Sequence, residues 1–442
     1  MEISMRNSVL PVIAYAALAL VPLAVVTVFG SLGGYADYIY ELGRSFALIV
    51  FAVLLLQPVL AGRFREITEP YGLDMVVNFH KYMGVTALCL IIAHPLLLAL
   101  GGRGLKLLTS LSVPWEIWLG KAALLLLLIQ AGASLFRKRL GLDFERWRRL
   151  HDILAPTILV LAAVHSYFIG GDLKYVPGMR ELWVVALLGS AGVFVYHRFI
   201  RPKRLPRYTV RSVEPAAQNV WTVTLAPPDG RSPRYEPGQF HFLTFRSDHV
   251  PEEEHHFTIS SSPTEAAIIA STIKESGDFT RHVGSIAPGD TARVHGPFGR
   301  YSYVFEDAEV PLVFIAGGIG ITPLRAMLRH MADTGADRRV ALLYACKTEA
   351  DIVFRAELDA LAEGDRPRLD VTYVLSRPDE GWSGSRGHID TALIRECCAG
   401  MLDEAVFFVC GPEGMAKAVL GSLTELGVPM SRIRREEFLL LD

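Results

Sequence analysis

The first 200 residues hold six runs of about twenty predominantly apolar residues, at roughly 8–29, 45–61, 75–100, 115–136, 150–169 and 182–200. A bilayer-spanning helix needs about 20 such residues, because every backbone group must find its partner within the segment. This half is therefore expected to be a bundle of six membrane helices. The runs at 45–61 and 150–169 are the least uniform, yet each stays mainly apolar over most of a span. The first run is longer than a signal-peptide core and lacks a clear small-residue cleavage site, so it reads as a retained helix. An even number of spans puts both ends of this half on one side.

Loop charge says which side, because cytoplasmic loops collect Lys and Arg. The loop after the fourth run carries Arg137, Lys138, Arg139, Arg146, Arg148 and Arg149. Arg63 and Arg65 follow the second, and Arg198, Arg201, Lys203, Arg204 and Arg207 follow the sixth. The opposite loops hold scattered cations such as Arg103, Lys106, Lys174 and Arg180. The N-terminus and everything after residue 204 are thus expected in the cytosol of a cell whose cytoplasmic membrane holds the helices.

Ionisable groups inside spans are costly and tend to be functional. His80 and His94 lie on the third run, His151 and His165 on the fifth, each pair 14 residues apart (94 − 80 and 165 − 151). Fourteen residues is almost four turns, so the two histidines of a helix share a face about 21 Å apart along its axis. Both helices run in the same direction, so His80 can meet His151 near the cytosol and His94 can meet His165 near the outside. A single membrane histidine is more plainly a helix-to-helix hydrogen bonder. Two matched pairs fit the axial ligands of two b-type haems, which are metal sites with no open position for oxygen. His197 has no matching partner and reads as an interfacial residue; Pro95 reads equally as a kink or as a tolerated membrane proline.

After Arg207 the pattern changes to short alternating strands, Tyr208–Val213, Val220–Leu225 and Gln239–Arg246, separated by turns such as Pro227-Pro228-Asp229-Gly230. This predicts a small antiparallel barrel to about Phe305. From Pro311, strands at Leu312–Ala316, Val340–Ala345, Leu369–Val374 and Val406–Cys410 alternate with helical stretches, which implies a parallel sheet with a nucleotide at the strands' carboxyl ends. The chain of 442 residues thus divides into 1–204, 205–307 and 308–442. Its formal net charge of -2 gives no footprint for nucleic acid. Cys89, Cys346, Cys397, Cys398 and Cys410 form no CxxC pair, as suits a reducing compartment.

Gly317, Gly318 and Gly320, followed by Thr322 and Pro323, form a turn between a buried strand and a helix. Such a turn lets backbone approach a pyrophosphate, although glycines alone are a weak signal. Cys410, Gly411 and Pro412 close the last strand, where Cys410 by itself could be a small buried residue. His255, Phe257 and Thr258 gather imidazole, aromatic and hydroxyl at a strand end. Lys274, Gly277 and Thr280 combine a cation, a glycine turn and a hydroxyl suited to a second phosphate group. Either cluster can equally be an ordinary strand edge.

Taken together, these residues resemble the NADPH oxidase and ferric reductase superfamily over nearly the whole chain. His255-x-Phe257-Thr258 is similar to its FAD motif, which implies that Phe257 packs on the isoalloxazine and Thr258 lies near its reactive edge. Pro237-Gly238-Gln239-Phe240, Gly277-x-Phe279-Thr280 and Gly296-Pro297-Phe298-Gly299 also match its FAD-domain pattern. Gly317–Pro323 and Cys410-Gly411-Pro412 are similar to its pyridine-nucleotide motifs, with the cysteine bordering the nicotinamide. Glu436-Glu437-Phe438 resembles the family's terminal segment, whose aromatic covers the flavin, although four residues follow Phe438 here. Phe79-His80-Lys81 resembles the family's first haem ligand, and Arg44 matches an arginine beside its outer haem. Animal superoxide-producing members carry a further histidine one turn beyond the outer ligand, where this chain has Leu98. The calcium-binding EF-hands of some relatives are absent, which implies constitutive activity.

The resemblance implies a catalytic route from cytosolic NADPH through FAD and two haems to oxygen or a ferric chelate, with Cys410, Thr258 and Phe438 at the hydride step. Lys347 and Arg377 can meet the 2′-phosphate that separates NADPH from NADH, and either can equally be a solvated surface cation. A haem domain that feeds a periplasmic partner protein is an alternative. So is a non-enzymatic haem-binding membrane protein, against which the intact nucleotide motifs speak.

Overall fold

The structure, a computed structural model, describes residues 5–29, 35–265 and 267–436. The chain divides into two units between Lys203 and Arg204.

The first unit is helical: α1 (Met5–Phe29), α2 (Tyr35–Ala61), α3 (Leu73–Leu98), α4 (Trp115–Leu135), α5 (Phe144–Ile169) and α6 (Met179–Val195). Among the described residues five segments are long and apolar enough to cross a membrane: Tyr38–Ala61, Leu73–Arg103, Trp115–Leu135, Phe144–Ile169 and Met179–Arg204. α1 stands where the first span, 8–29, is expected, and Pro11–Ala24 within it is an apolar helical stretch among the described residues. α2 is the most buried helix of the bundle, with Leu48, Val50, Phe51, Val53 and Leu55 inside. Phe51 stacks on Trp183 of α6 at 4.7 Å, and the Trp183 indole donates to Ser166 Oγ of α5 at 2.9 Å. Asp143 caps α5 by accepting from Arg146 N at 2.7 Å, which relieves an unpaired amide of the first turn. α3 runs through Pro95 to Leu98.

The second unit begins with six antiparallel strands: β1 (Arg207–Ala217), β2 (Val220–Ala226), β3 (Phe240–Arg246), β4 (Glu254–Thr258), β5 (Ile269–Lys274) and β6 (Thr291–Phe298). Their order is β4-β3-β6-β1-β2-β5. Ser260 N donates to Ala270 O at 2.7 Å, so the chain just past edge strand β4 meets edge strand β5 and closes the barrel around Val223, Leu225, Leu243, Phe245 and Ile269. β1 extends four residues past the expected Val213 (217 − 213), because register shifts after Val210 and Pro215 accommodate the extra length.

His241 of β3 points into this barrel, fully buried, with Nε2 2.7 Å from Ser271 Oγ. Burial lowers its pKa from 6.5 to about 3. A base held neutral in the fold stabilises fully above its unfolded pKa, and that contribution is lost as pH falls from about 6.5 towards about 3. A His241→Gln variant is expected to show a flatter decline of melting temperature over that window, measured on the detergent-solubilised chain. Parallel declines in both proteins would assign the acid sensitivity elsewhere.

The rest is a parallel sheet of β7 (Leu312–Gly317), β8 (Arg339–Cys346), β9 (Arg368–Leu375), β10 (Ser385–Arg386), β11 (Val406–Cys410) and β12 (Ile433–Glu436). Helices α7 (Ile321–Thr334), α8 (Arg355–Ala362), α9 (Thr391–Cys397) and α10 (Glu413–Glu425) accompany it. The strand order is β10-β9-β8-β7-β11-β12. All of β7 is buried because both faces are covered: Phe314 packs with Leu324 and Met327 of α7, Ile315 with Val419 and Leu423 of α10. The chain winds from β7 to β8 on one side and returns to β11 on the other. The carboxyl ends of β7 and β11 therefore flank a topological switch point, where such sheets bind ligands.

Candidate functional site

In the membrane unit, α3 and α5 bring His80 and His151 together, ring centres 6.1 Å apart and planes 42° from parallel. Trp147, one turn before His151, lies 5.5 Å from its ring and donates to Ser134 Oγ of α4 at 3.1 Å. The other pair is oriented by carbonyls on neighbouring helices. His94 Nδ1 lies 2.8 Å from Gly43 O of α2, and His165 Nδ1 lies 2.7 Å from Glu116 O of α4. A carbonyl only accepts, so each Nδ1 carries the proton and each Nε2 keeps its lone pair. Gly120, one turn after Glu116, faces the His165 ring; a Cβ there would meet Cε1 at 2.6 Å. The corresponding Nδ1 of His80 is buried without a hydrogen bond of normal geometry among the described residues, as are both amide atoms of Gln57 on α2.

In the barrel, the end of β4 and the turn after β5 assemble an aromatic stack. The His255 ring lies 4.0 Å from Phe279, nearly parallel, and Phe257 lies 6.4 Å from Phe279 at 25°. Phe279 thus joins the expected His255 and Phe257. Thr258 is buried at the strand's last position, paired with Phe240. Thr280 holds the turn itself: its hydroxyl accepts from Ser276 N and Gly277 N, both at 2.8 Å. Its oxygen shapes the loop. Lys274 lies within electrostatic range of Cys346 on β8, whose thiol burial pushes up to about 11.

At the switch point the glycines are required by close approach. A Cβ on Gly320 would lie 2.2 Å from Cys410 O, and one on Gly317 2.4 Å from Met415 Sδ. Gly411 sits 3.0 Å from the Gly317 backbone, measured from the same hypothetical carbon. These contacts press the ends of β7 and β11 together. Gly318, at φ +52°, has open space beside it instead. Thr322 and Pro323 are buried in the first turn of α7, with Thr322 Oγ1 donating to Ile319 O at 3.0 Å. Pro412 packs against Gly317.

Cys410 is fully buried, and burial together with the Glu436 carboxylate holds its thiol well above the usual range. Glu436 is its register partner on β12. Tyr301 is buried near both; burial first, then Cys410 and Glu436, raises its pKa, and its hydroxyl has no hydrogen-bond partner among the described residues. The site is thus an un-ionised thiol and phenol beside one carboxylate. Phe438 lies outside the described residues. Lys347 and Arg377 come together: Arg377 N donates to Lys347 O at 2.8 Å across the ends of β9 and β8, and both side chains are exposed.

Residues 45–162 match the ferric reductase like transmembrane component, a span that includes His80, His94 and His151 and stops just before His165. Residues 314–420 match the oxidoreductase NAD-binding domain. The soluble half is 33% identical over 237 residues to ferredoxin–NADP reductase B of Sorangium cellulosum, covering 51% of this chain and 95% of that protein. It is 37% identical over 158 residues to NADH-cytochrome b5 reductase 1 of Laccaria bicolor, covering 35% of this chain and 51% of that protein. The chain spans about half the length of such cytochrome b5 reductases. Among solved structures, the cytochrome b5 reductase domain of Ulva prolifera nitrate reductase aligns with a TM-score of 0.48 at 23% identity, over 53% of this chain and 98% of that one.

The second unit therefore belongs with the FAD/NAD(P)-binding reductases of the ferredoxin reductase type. Joined to a ferric reductase-like membrane component, it has the architecture of the NADPH oxidase and ferric reductase superfamily, to which this chain belongs.

Proposed function

We propose that this chain carries electrons from cytosolic NADPH, by way of FAD and two bis-histidine b-type haems, to an acceptor on the far side of the cytoplasmic membrane. The observation that carries this is the pair His80 and His151, 6.1 Å apart, in one chain with a complete nucleotide turn. Metal-to-imidazole bonds of about 2.0–2.1 Å put two rings sharing one ion roughly 6 Å apart, centre to centre. The residues fit the group. His94 and His165 support the second haem differently, through Nδ1 protons held by Gly43 O and Glu116 O, the outer hydrogen bond that metal-binding histidines use to fix their tautomer. When bound, FAD converts the hydride's electron pair into single electrons and the haems convey them across the bilayer.

The chain's own side chains would do the rest. Thr258 and Phe257 would seat the flavin ring, and Lys274 with the 277–280 turn would hold its phosphates. The 317–320 turn would cradle the dinucleotide's pyrophosphate at the start of α7. Cys410, kept protonated, would border the nicotinamide and donate rather than attack. The cation-rich loops around 63–65, 137–149 and 198–207 support a cytosolic soluble half, with domain boundaries at 204/205 and 307/308, and α1 as the sixth crossing. Dioxygen and a ferric chelate are the acceptor classes.

NADPH is favoured over NADH by the adjacent Lys347 and Arg377, although several relatives have NADH in their names. Charge-assisted hydrogen bonds to a phosphate are worth about 1.5–3 kcal/mol each. Arg377→Ala is expected to lower kcat/KM for NADPH about tenfold or more while sparing NADH. A wild-type preference for NADH would overturn the choice of nucleotide. The reading as a whole is tested by an anaerobic visible spectrum of the purified chain before and after NADPH and FAD. Haem bands that become reduced support it, and admission of air or ferric citrate then distinguishes the acceptors. Protein without haem, expressed with adequate haem supply, would sink it.

A further inference from the structure

We infer that Arg325 is a positioning residue that locks the nucleotide-binding helix onto the flavin-binding strand and so sets the hydride-transfer geometry; this rests on the reading above. Arg325 lies one turn beyond Thr322 in α7. Its Nη1 donates to Ser260 O at 2.6 Å, and Ser260 stands two residues past Thr258 of β4. Its Nε donates to Glu357 Oε2 of α8 at 2.9 Å, and Nη2 lies 2.7 Å from Glu357 Oε1. The Phe354 ring sits under the guanidinium, 5.1 Å from its carbon.

Both ends of this bridge are rigid. Ser260 is buried and held by Ala270 O and by Thr272 Oγ1 at 3.0 Å. Phe354 has φ +62°, a left-handed conformation that bulky residues avoid, and here it brings ring and Glu357 to the same guanidinium. The bridge is one of two along a single helix face. Asp333, eight residues on (333 − 325), accepts from Thr264 Oγ1 at 2.5 Å and is held by Arg329 Nε at 2.9 Å. Residues 325, 329 and 333 follow an i, i+4, i+8 spacing, so one stripe of α7 is fastened to the segment that continues the flavin strand. Fork geometry explains the residue type: a lysine reaches Ser260 O or Glu357, not both.

Misplacement of reacting atoms by about 1 Å can cost on the order of a hundredfold in rate. In the full-length, FAD-loaded chain, Arg325→Ala is therefore expected to slow flavin reduction at saturating NADPH about a hundredfold, followed anaerobically by stopped flow. FAD content, melting temperature and nucleotide Kd are expected to stay near wild type. Arg325→Lys should recover part of the rate, and Glu357→Gln should lose little because the Ser260 bond remains. NADPH deuterated at the transferred position should show a larger isotope effect in Arg325→Ala, as the hydride step becomes more limiting. A rate within twofold of wild type overturns the inference, as does a loss that tracks FAD loss or melting in both Arg325 variants. A wild-type flavin that neither NADPH nor NADH reduces would instead remove the underlying reading.

Discussion

Replacing His151 with alanine is expected to abolish electron delivery across the membrane while leaving NADPH-driven reduction of a soluble dye intact. His151 and His80 face each other from two helices, ring centres 6.1 Å apart, close enough to share an ion. Losing the partner of a metal-binding histidine costs about 10–100-fold in affinity, and losing the ligand itself costs more. The inner haem should therefore leave, halving haem per chain by pyridine haemochrome. Transfer to an outside acceptor should fall at least about a hundredfold. The dye reaction should survive because the residues proposed for flavin and nucleotide all lie beyond Arg204, in the other unit. Retention of two haems with normal delivery would show that the facing pair is only a helix contact.

The second large effect is expected at Gly320. A methyl there would approach Cys410 O to 2.2 Å, its carbonyl carbon to 2.6 Å and Gly411 N to 2.8 Å. All three are backbone atoms at or just past the end of β11, so no side chain can swing aside. Overpacking of this kind costs about 1–3 kcal/mol, and the displaced strand end carries Cys410 with it. Gly320→Ala should lower NADPH oxidation about a hundredfold or more and reduce the melting temperature. Gly421→Ala is the matched control, because it lies inside α10 with open space around it and should gain helix propensity. Normal turnover in Gly320→Ala would place the nucleotide away from the switch point.

Much of this is legible in the sequence because periodicity reports it directly. Two 14-residue intervals put four histidines on two helix faces, and strand ends were located within one or two residues wherever the apolar run was fully buried, as in β7, β8 and β11. Contacts between distant segments left no comparable trace. Phe279 stacks on His255, 24 residues earlier (279 − 255), and nothing at either position marks the other. Arg325 reads as a surface cation on an amphipathic helix until Ser260 O is found beneath it. Gly120 looks like an ordinary small membrane residue, although its spacing from Glu116 is the one-turn interval that a ring between them needs. Thr280 carries a contact of the same hidden kind: its hydroxyl also accepts from the backbone of its own turn.

The division between Lys203 and Arg204 has a consequence for how such proteins are made and remade. The reductase half shares its length with a stand-alone enzyme, matching 95% of the Sorangium cellulosum protein with 51% of this chain. Its first strand pairs within its own barrel, Arg207 opposite Arg293. On the proposed reading, such a half should serve as an interchangeable cartridge. On that reading a gene fusion at this point would attach a ready-made electron source to a membrane wire, and swapping cartridges should change the fuel without rebuilding the wire.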